Sequence, residues 1–193
     1  MNELESLKEA LPPVLRDIKL NIDGVLGASS LTPAQRWGVA LASAAAARNP
    51  RLTRAILQAA SAEVDKNVIE DALAAAGLMA MNNVFYRFRH FMGKQSYQEL
   101  PARLRMTRIA RPATNKADFE LFCLAVSAIN GCEMCVRAHE EGVIKAELSE
   151  TQVVDAVRIA STLNAAAVSL ELAELSSDAT LKETPSGAEA PPQ

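Results

Sequence analysis

The chain has 193 residues, of which 49% are apolar and 4% aromatic, and a formal net charge of −3. That length fits one domain, or two short similar halves sharing a core, and it can bury a sizeable interior. The weak negative charge, with no stripe of lysine and arginine interleaved with aromatics, excludes an electrostatic footprint for nucleic acid.

Alanine is prominent and glycine sparse, which suits closely packed helices: alanine is the best helix former and a poor strand residue. The first ten residues carry acids and a lysine without an apolar centre, so they do not read as a secretory signal. The longest apolar stretch, Val39 to Ala47, is shorter than the ~20 residues of a spanning helix, so no membrane association is expected. A cytoplasmic location is the expectation. There cysteines rest reduced, and a CxxC reads as redox chemistry or metal binding.

In chain order, Leu4, Leu7, Leu11, Leu15 and Ile18 recur at helical spacing, interrupted by Pro12-Pro13, before Gly24 and Gly27 loosen the chain. Thr32-Pro33 starts a helix, with Thr32 as cap and Pro33 in the first turn, and Asn49-Pro50 stops it near Arg48. A shorter helix follows from Leu52 to Ala60. A long one spans Asp65 to Phe91, with Ile69, Leu73, Ala76, Ala80 and Val84 toward a core. After Gly93 come a polar connection and a short segment, Leu104 to Ile109, ended by Pro112. Asn115 caps a helix from Lys116 to Ile129, which Asn130-Gly131 closes. The CxxC segment continues as a helix to Lys145. Ser149 and Gln152 form a capping box for a last helix ending near Leu175. From Ser176 onward small, polar and proline residues dominate, and residues 176–193 read as a disordered tail beyond a domain of residues 1–175. Asp71-Ala72-Leu73 with Ala76-Gly77 resembles Asp155-Ala156-Val157 with Ala160-Ser161, which leaves either internal duplication or shared helical composition.

The segment Cys132-Glu133-Met134-Cys135 followed by His139 carries the most chemistry. On one helix, positions 132, 135 and 139 share a stripe, the two cysteines are close enough to bridge, and His139 lies one turn beyond Cys135, within reach of its sulfur. A helix start and a neighbouring imidazole both favour thiolate, the working form in thiol–disulfide exchange. A bridge closing so short a loop constrains little chain and reads as a reversible redox couple.

Other readings stand beside it. CxxC with a histidine can hold zinc, but a structural site wants four ligands. The other histidine, His90, has no matching pattern, and Glu120 would have to complete the set. The two cysteines could also simply pack. Cys123, amid Leu121, Phe122, Leu124 and Val126, reads as an inert buried thiol. Met79, Met81 and Met92 read as gap fillers, Trp37 as a core or subunit-contact residue ahead of a cofactor platform, and Asn82-Asn83 as a buried polar network or subunit contact ahead of a substrate contact.

Asp17 to Asn21, Leu41 to Ala46 with Arg48-Asn49-Pro50, Met81 to Arg87, Phe119-Glu120-Leu121, Ala125 to Cys132 and Ala138-His139-Glu140 together resemble the alkyl hydroperoxidase D (AhpD) family over nearly all of residues 1–175. The resemblance implies an all-α fold shared with carboxymuconolactone decarboxylases, a homotrimer, and no bound cofactor. It implies electrons from dihydrolipoamide on a lipoyl-bearing acyltransferase recharged by dihydrolipoamide dehydrogenase, passed to the peroxiredoxin AhpC, and weak reduction of organic hydroperoxides. It assigns Cys135 as the cysteine that becomes sulfenic acid or pairs with the partner. Cys132 is then its proton donor and disulfide mate, and His139 with Glu120 the relay that deprotonates the thiol. Where the family often has a histidine between the cysteines, this chain has Met134, which cannot move protons. The readings left beside this one are a metal-binding or redox-regulatory helical module and a decarboxylase of the same fold.

Overall fold

The computed structural model describes residues 3–27 and 29–177. Among them are ten α-helices and one 3-10 turn and no strand, as the composition predicts. The helices are α1 (Glu3–Glu9), α2 (Arg16–Gly27), α3 (Pro33–Ala46), α4 (Pro50–Glu63), α5 (Lys66–Met92), α6 (Gln95–Glu99), α7 (Thr107–Ala110), α8 (Lys116–Ile129), α9 (Glu133–Lys145) and α10 (Glu150–Ser177). Most of the tail read as disordered lies outside the described residues.

The core sits between α3 and α8. Trp37 to Ala44 on α3 and Asp118 to Ser127 on α8 are buried without interruption. The helices meet where Gly38 has no side chain: a Cβ there would stand 2.1 Å from Cζ of Phe122, so the ring occupies the space any other residue would fill.

The duplication is real at the level of structure. Helices α3, α4 and α5 have 14, 14 and 27 residues, and α8, α9 and α10 have 14, 13 and 28. Thr32 caps α3 on Gln35 and Asn115 caps α8 on Asp118, and these two equivalent residues bond to each other, Gln35 Nε2 donating to Asp118 Oδ1 at 2.8 Å. Both α3–α4 and α8–α9 junctions turn through one left-handed residue, Arg48 (φ 61°) and Gly131 (φ 64°). The caps that follow, Asn49 and Cys132, have φ of −97° and −99°.

Each half also ties down the other. Asp71 of α5 accepts from Thr114 N (2.7 Å), Thr114 Oγ1 (2.7 Å), Ala113 N (3.1 Å) and Arg108 Nε (2.6 Å), gripping the loop before α8. Asp155 of α10 accepts from Ser30 N (2.8 Å) and Ser30 Oγ (2.7 Å), gripping the loop before α3. Burial pushes the Asp71 carboxyl up, but the bonds from Thr114, Ala113 and Arg108 together outweigh it and hold it below the usual carboxylate range.

Several sequence-based boundaries shift. Pro50 is the first residue of α4, capped by Asn49 Oδ1 on Leu52 N (2.9 Å): the pair that ends one helix starts the next two residues before the predicted Leu52. Helix α2 runs through Gly24 to Gly27, and the polar connection after Gly93 contains α6. The segment predicted from Leu104 shrinks to the four residues of α7.

The core face of α5 is also corrected. Val68, Ala72, Ala75, Ala76, Met79, Asn82 and Asn83 are buried, while Leu73 and Val84 are 42% and 60% exposed and Ala80 faces out. Large apolar side chains lie on the exposed side of the helix as well as the buried one, so periodicity alone does not choose a face. By length and apolarity both α5 and α10 are long enough to cross a bilayer, which a search for unbroken apolar runs overlooks because polar residues interrupt each. Here both pack against the bundle.

Candidate active site

The end of α8 wraps back on itself: Asn130 N donates to Val126 O, Gly131 N to Ala128 O and Cys132 N to Ser127 O, at 3.0 to 3.1 Å. The left-handed Gly131 then lets the chain reverse into α9. Cys132 is therefore the cap of α9 rather than a residue within it, a correction to the single helical stripe. Cys135 sits in the first turn. The two are joined as a disulfide with Cα atoms 5.3 Å apart, inside the range a bridge prefers.

The first-turn N–H groups of α9 have no acceptor in their own helix, so the cysteines lie at its positive end, where a thiolate is favoured. Both cysteines are buried, and a depression of about 490 Å³ lies beside Cys132, lined by Gly131, Cys132, Glu133, Val136 and Arg137. His90, on the last turn of α5, has Nε2 3.8 Å from Oε2 of Glu133 between the cysteines.

One turn further along α9, His139 Nδ1 lies 2.5 Å from Oε2 of Glu120, with both side chains nearly buried (13% and 11% exposed). Glu120 comes from α8 and lies against Gly142, where a Cβ would approach its Cγ and Cδ to 3.3 Å. Helical spacing alone predicts that His139 reaches toward the Cys135 sulfur. Its Nε2 instead faces Sδ of Met79 at 3.2 Å, with the cysteines already bonded to each other.

A polar ladder on α5 supports this corner. Asn83 Nδ2 donates to Ser127 Oγ (3.0 Å), Asn130 Nδ2 donates to Asn83 Oδ1 (2.9 Å), and Arg87 Nη1 donates to the Asn130 carbonyl (2.5 Å). Asn83 thus belongs to a buried polar network, one of the readings left open. Met79, Asn83 and Arg87 are spaced four apart on one helix face, the signal in the sequence that marks them together. Met79 and Gly142 are the site neighbours that sequence reasoning missed.

Cys123 is fully buried and free, and its thiol is pushed well above its ordinary value by burial first and then by the charges of Glu120 and Asp71. That suits the inert role read for it. Among the described residues no group of three or more histidine, cysteine, aspartate or glutamate side chains is arranged to hold a metal ion.

The duplication accounts for where the chemistry lies. Counted from the caps, the first-half equivalents of Cys132, Cys135, His139 and Glu120 are Asn49, Leu52, Ile56 and Trp37, all buried and none a redox or proton-transfer group. Only the second half can do thiol chemistry.

The carboxymuconolactone decarboxylase family matches residues 95–175 of the chain. A protein of Anaeromyxobacter sp. (strain K) named alkyl hydroperoxide reductase AhpD is 65% identical over 173 residues, covering 90% of this chain and 93% of that one. Another of that name, from Anaeromyxobacter sp. (strain Fw109-5), is 58% identical, covering 91% and 95%. A third, from Solibacter usitatus (strain Ellin6076), is 46% identical, covering 88% and 96%. With this similarity running nearly end to end over an all-helical duplicated fold, the chain belongs to the AhpD family of the carboxymuconolactone decarboxylase superfamily.

Proposed function

We propose that the protein is the alkyl hydroperoxide reductase component that takes electrons from dihydrolipoamide, passes them to the peroxiredoxin AhpC, and reduces organic hydroperoxides weakly itself. The observation that carries this reading is the CxxC bridge at the start of α9, one turn from the buried Glu120–His139 pair. The names of relatives 58–66% identical support the alkyl hydroperoxide reductase activity in it.

In the reduced enzyme His139, oriented through Nδ1 by Glu120, takes the Cys135 proton. The Cys135 thiolate attacks the distal peroxide oxygen, the O–O bond breaks, and the alkoxide leaves as alcohol with that proton. Cys132 then displaces hydroxide from the Cys135 sulfenic acid, which leaves as water, and the disulfide forms. With AhpC as acceptor, the Cys135 thiolate attacks its disulfide, and Cys132 resolves the mixed disulfide. Dihydrolipoamide, carried on the acyltransferase and recharged by dihydrolipoamide dehydrogenase, returns the pair to dithiol. The depression beside Cys132 gives the lipoyl thiol its approach.

A homotrimer is part of the proposal. Phe88 and Phe91 on α5 and Val168 on α10 are 46%, 75% and 54% exposed, and less than half of the most apolar window of either helix is buried within one chain. Exposed apolar side chains of this kind are suited to burial against further copies in an assembly.

NADH consumption coupled through dihydrolipoamide dehydrogenase and lipoamide, with and without AhpC, tests the reading. Peroxide-dependent turnover that rises with AhpC supports it. Stoichiometric zinc that blocks the thiols, with no turnover, overturns it in favour of a metal-binding module.

A further inference from the structure

His139 is engaged at both ring nitrogens, at Nδ1 by Glu120 Oε2 (2.5 Å) and at Nε2 by Met79 Sδ (3.2 Å). A carboxylate only accepts, so Nδ1 carries a hydrogen. In a neutral ring Nε2 would then present its lone pair to the lone pairs of a thioether. A hydrogen on Nε2 turns the same contact into an N–H···S bond. Met79 is fully buried, so its sulfur is not screened by solvent, and Asn83 Nδ2 approaches the same sulfur at 3.8 Å while bonded to Ser127. The thioether is therefore held in place against the ring.

We propose that Met79 is a positioning residue that keeps the Nε2 hydrogen on His139 while the cysteines are oxidised, and yields the ring to Cys135 when they are reduced. The proposal rests on the lipoyl-dependent reading above. A dihydrolipoamide thiolate attacks Cys132 Sγ, the new S–S bond forms, and the old one breaks with its electron pair on Cys135 Sγ. His139 Nε2 delivers its hydrogen to that leaving sulfur and stays free to take it back in the peroxide step; the proton lost from the attacking thiol passes to solvent, and solvent returns a proton to Nε2 once the disulfide has re-formed. The second lipoyl thiol closes the lipoyl ring, releases Cys132, and supplies the Cys132 hydrogen. Two donor electrons, one donor hydrogen and the His139 hydrogen thus make two cysteine thiols.

The test compares wild type with Met79→Leu, a volume-conserving change that removes the sulfur, and with Met81→Leu as control. Histidine ¹⁵N NMR of the oxidised protein, with no donor present, should show a slowly exchanging Nε2–H of His139 in wild type and Met81→Leu, lost in Met79→Leu. Reduction by dihydrolipoamide should slow about 5-fold in Met79→Leu, the loss of one ordinary hydrogen bond. Iodoacetamide alkylation of Cys135 in the reduced variant should stay within about twofold of wild type, because the ring then serves Cys135 and not Met79.

An unchanged Nε2–H in oxidised Met79→Leu, or alkylation that falls as far as reduction does, overturns the proposal. Should Met79→Leu fail to fold, biosynthetic norleucine, which replaces Sδ by a methylene, serves in the same measurement. Wild-type protein that dihydrolipoamide does not reduce refutes the proposed function instead, and the NMR comparison still judges Met79.

Discussion

Gly142→Ala separates the geometry of the relay from the stability of the fold. Glycine inside α9 is a weak helix residue, and alanine there is favoured by roughly 1 kcal/mol from propensity and unfolded-state entropy. The new methyl, however, would stand 3.3 Å from Cγ and Cδ of Glu120 and 3.4 Å from Oε2. That is a few tenths of an ångström inside comfortable contact, so Glu120 must move while bonded at 2.5 Å to His139. Crowding of this size offsets most of the helix gain, and the melting temperature should stay within about 3 °C of wild type. A displaced orienting carboxylate acts on rate: since an ångström of misplacement reaches ~100-fold, a few tenths should lower lipoamide-dependent peroxide turnover by about 3- to 10-fold. Calorimetry and the coupled NADH assay on the same preparation check both numbers. Full activity in a well-folded Gly142→Ala protein would refute the claim that Glu120 must rest on a bare backbone at this position.

Three further outcomes follow from the same contacts. Gly38→Ala drives a methyl to within 2.1 Å of Phe122 Cζ, so it should destabilise by ~3 kcal/mol, the upper end of over-packing; Phe122→Leu in the same chain should recover much of the loss in a thermal melt. Asp71→Asn should destabilise by about 3 kcal/mol near neutral pH by leaving Arg108 and the 113–114 loop without their charge partner. Because the Asp71 carboxyl is held below its ordinary value in the folded state, its contribution is complete above the unfolded value and lost as pH falls through the lowered one, so urea melts across the acid range should show a shallower decline for Asp71→Asn. Met134→His should change turnover by less than ~10-fold, the low end of a positioned acid–base group, and a gain of several hundredfold would show that Glu120 and His139 do not suffice.

The helices announced themselves through caps that are purely local: Thr32-Pro33, Asn115 and Ser149 with Gln152 act on backbone within one turn, and the structure uses each of them. The disulfide partners were legible because their spacing alone brings them together. Glu120 was not legible from spacing, since its approach to His139 depends on how α8 crosses α9; family resemblance pointed to it. Met79 read as a gap filler because methionine usually is one, and its contact with His139 joins α5 to α9 across 60 positions of sequence. The core face of α5 is only partly legible for a related reason: Ala76 and Ile69 do face the core, but Leu73, Val84 and Phe88 are as apolar as the buried Val68 and Met79. Duplication showed faintly in sequence because the two halves share caps and aspartates while the site positions have diverged to Asn49, Leu52, Ile56 and Trp37.

The proposed mechanism requires Cys135 to be the sulfur that peroxide oxidises. Cys132→Ser enzyme, reduced and then treated with one equivalent of an alkyl hydroperoxide in the presence of dimedone, should carry the sulfenic-acid adduct on Cys135 when its peptides are mapped by mass spectrometry, with Cys123 unmodified. An adduct on Cys123, or none on Cys135 while the peroxide is consumed, would contradict it.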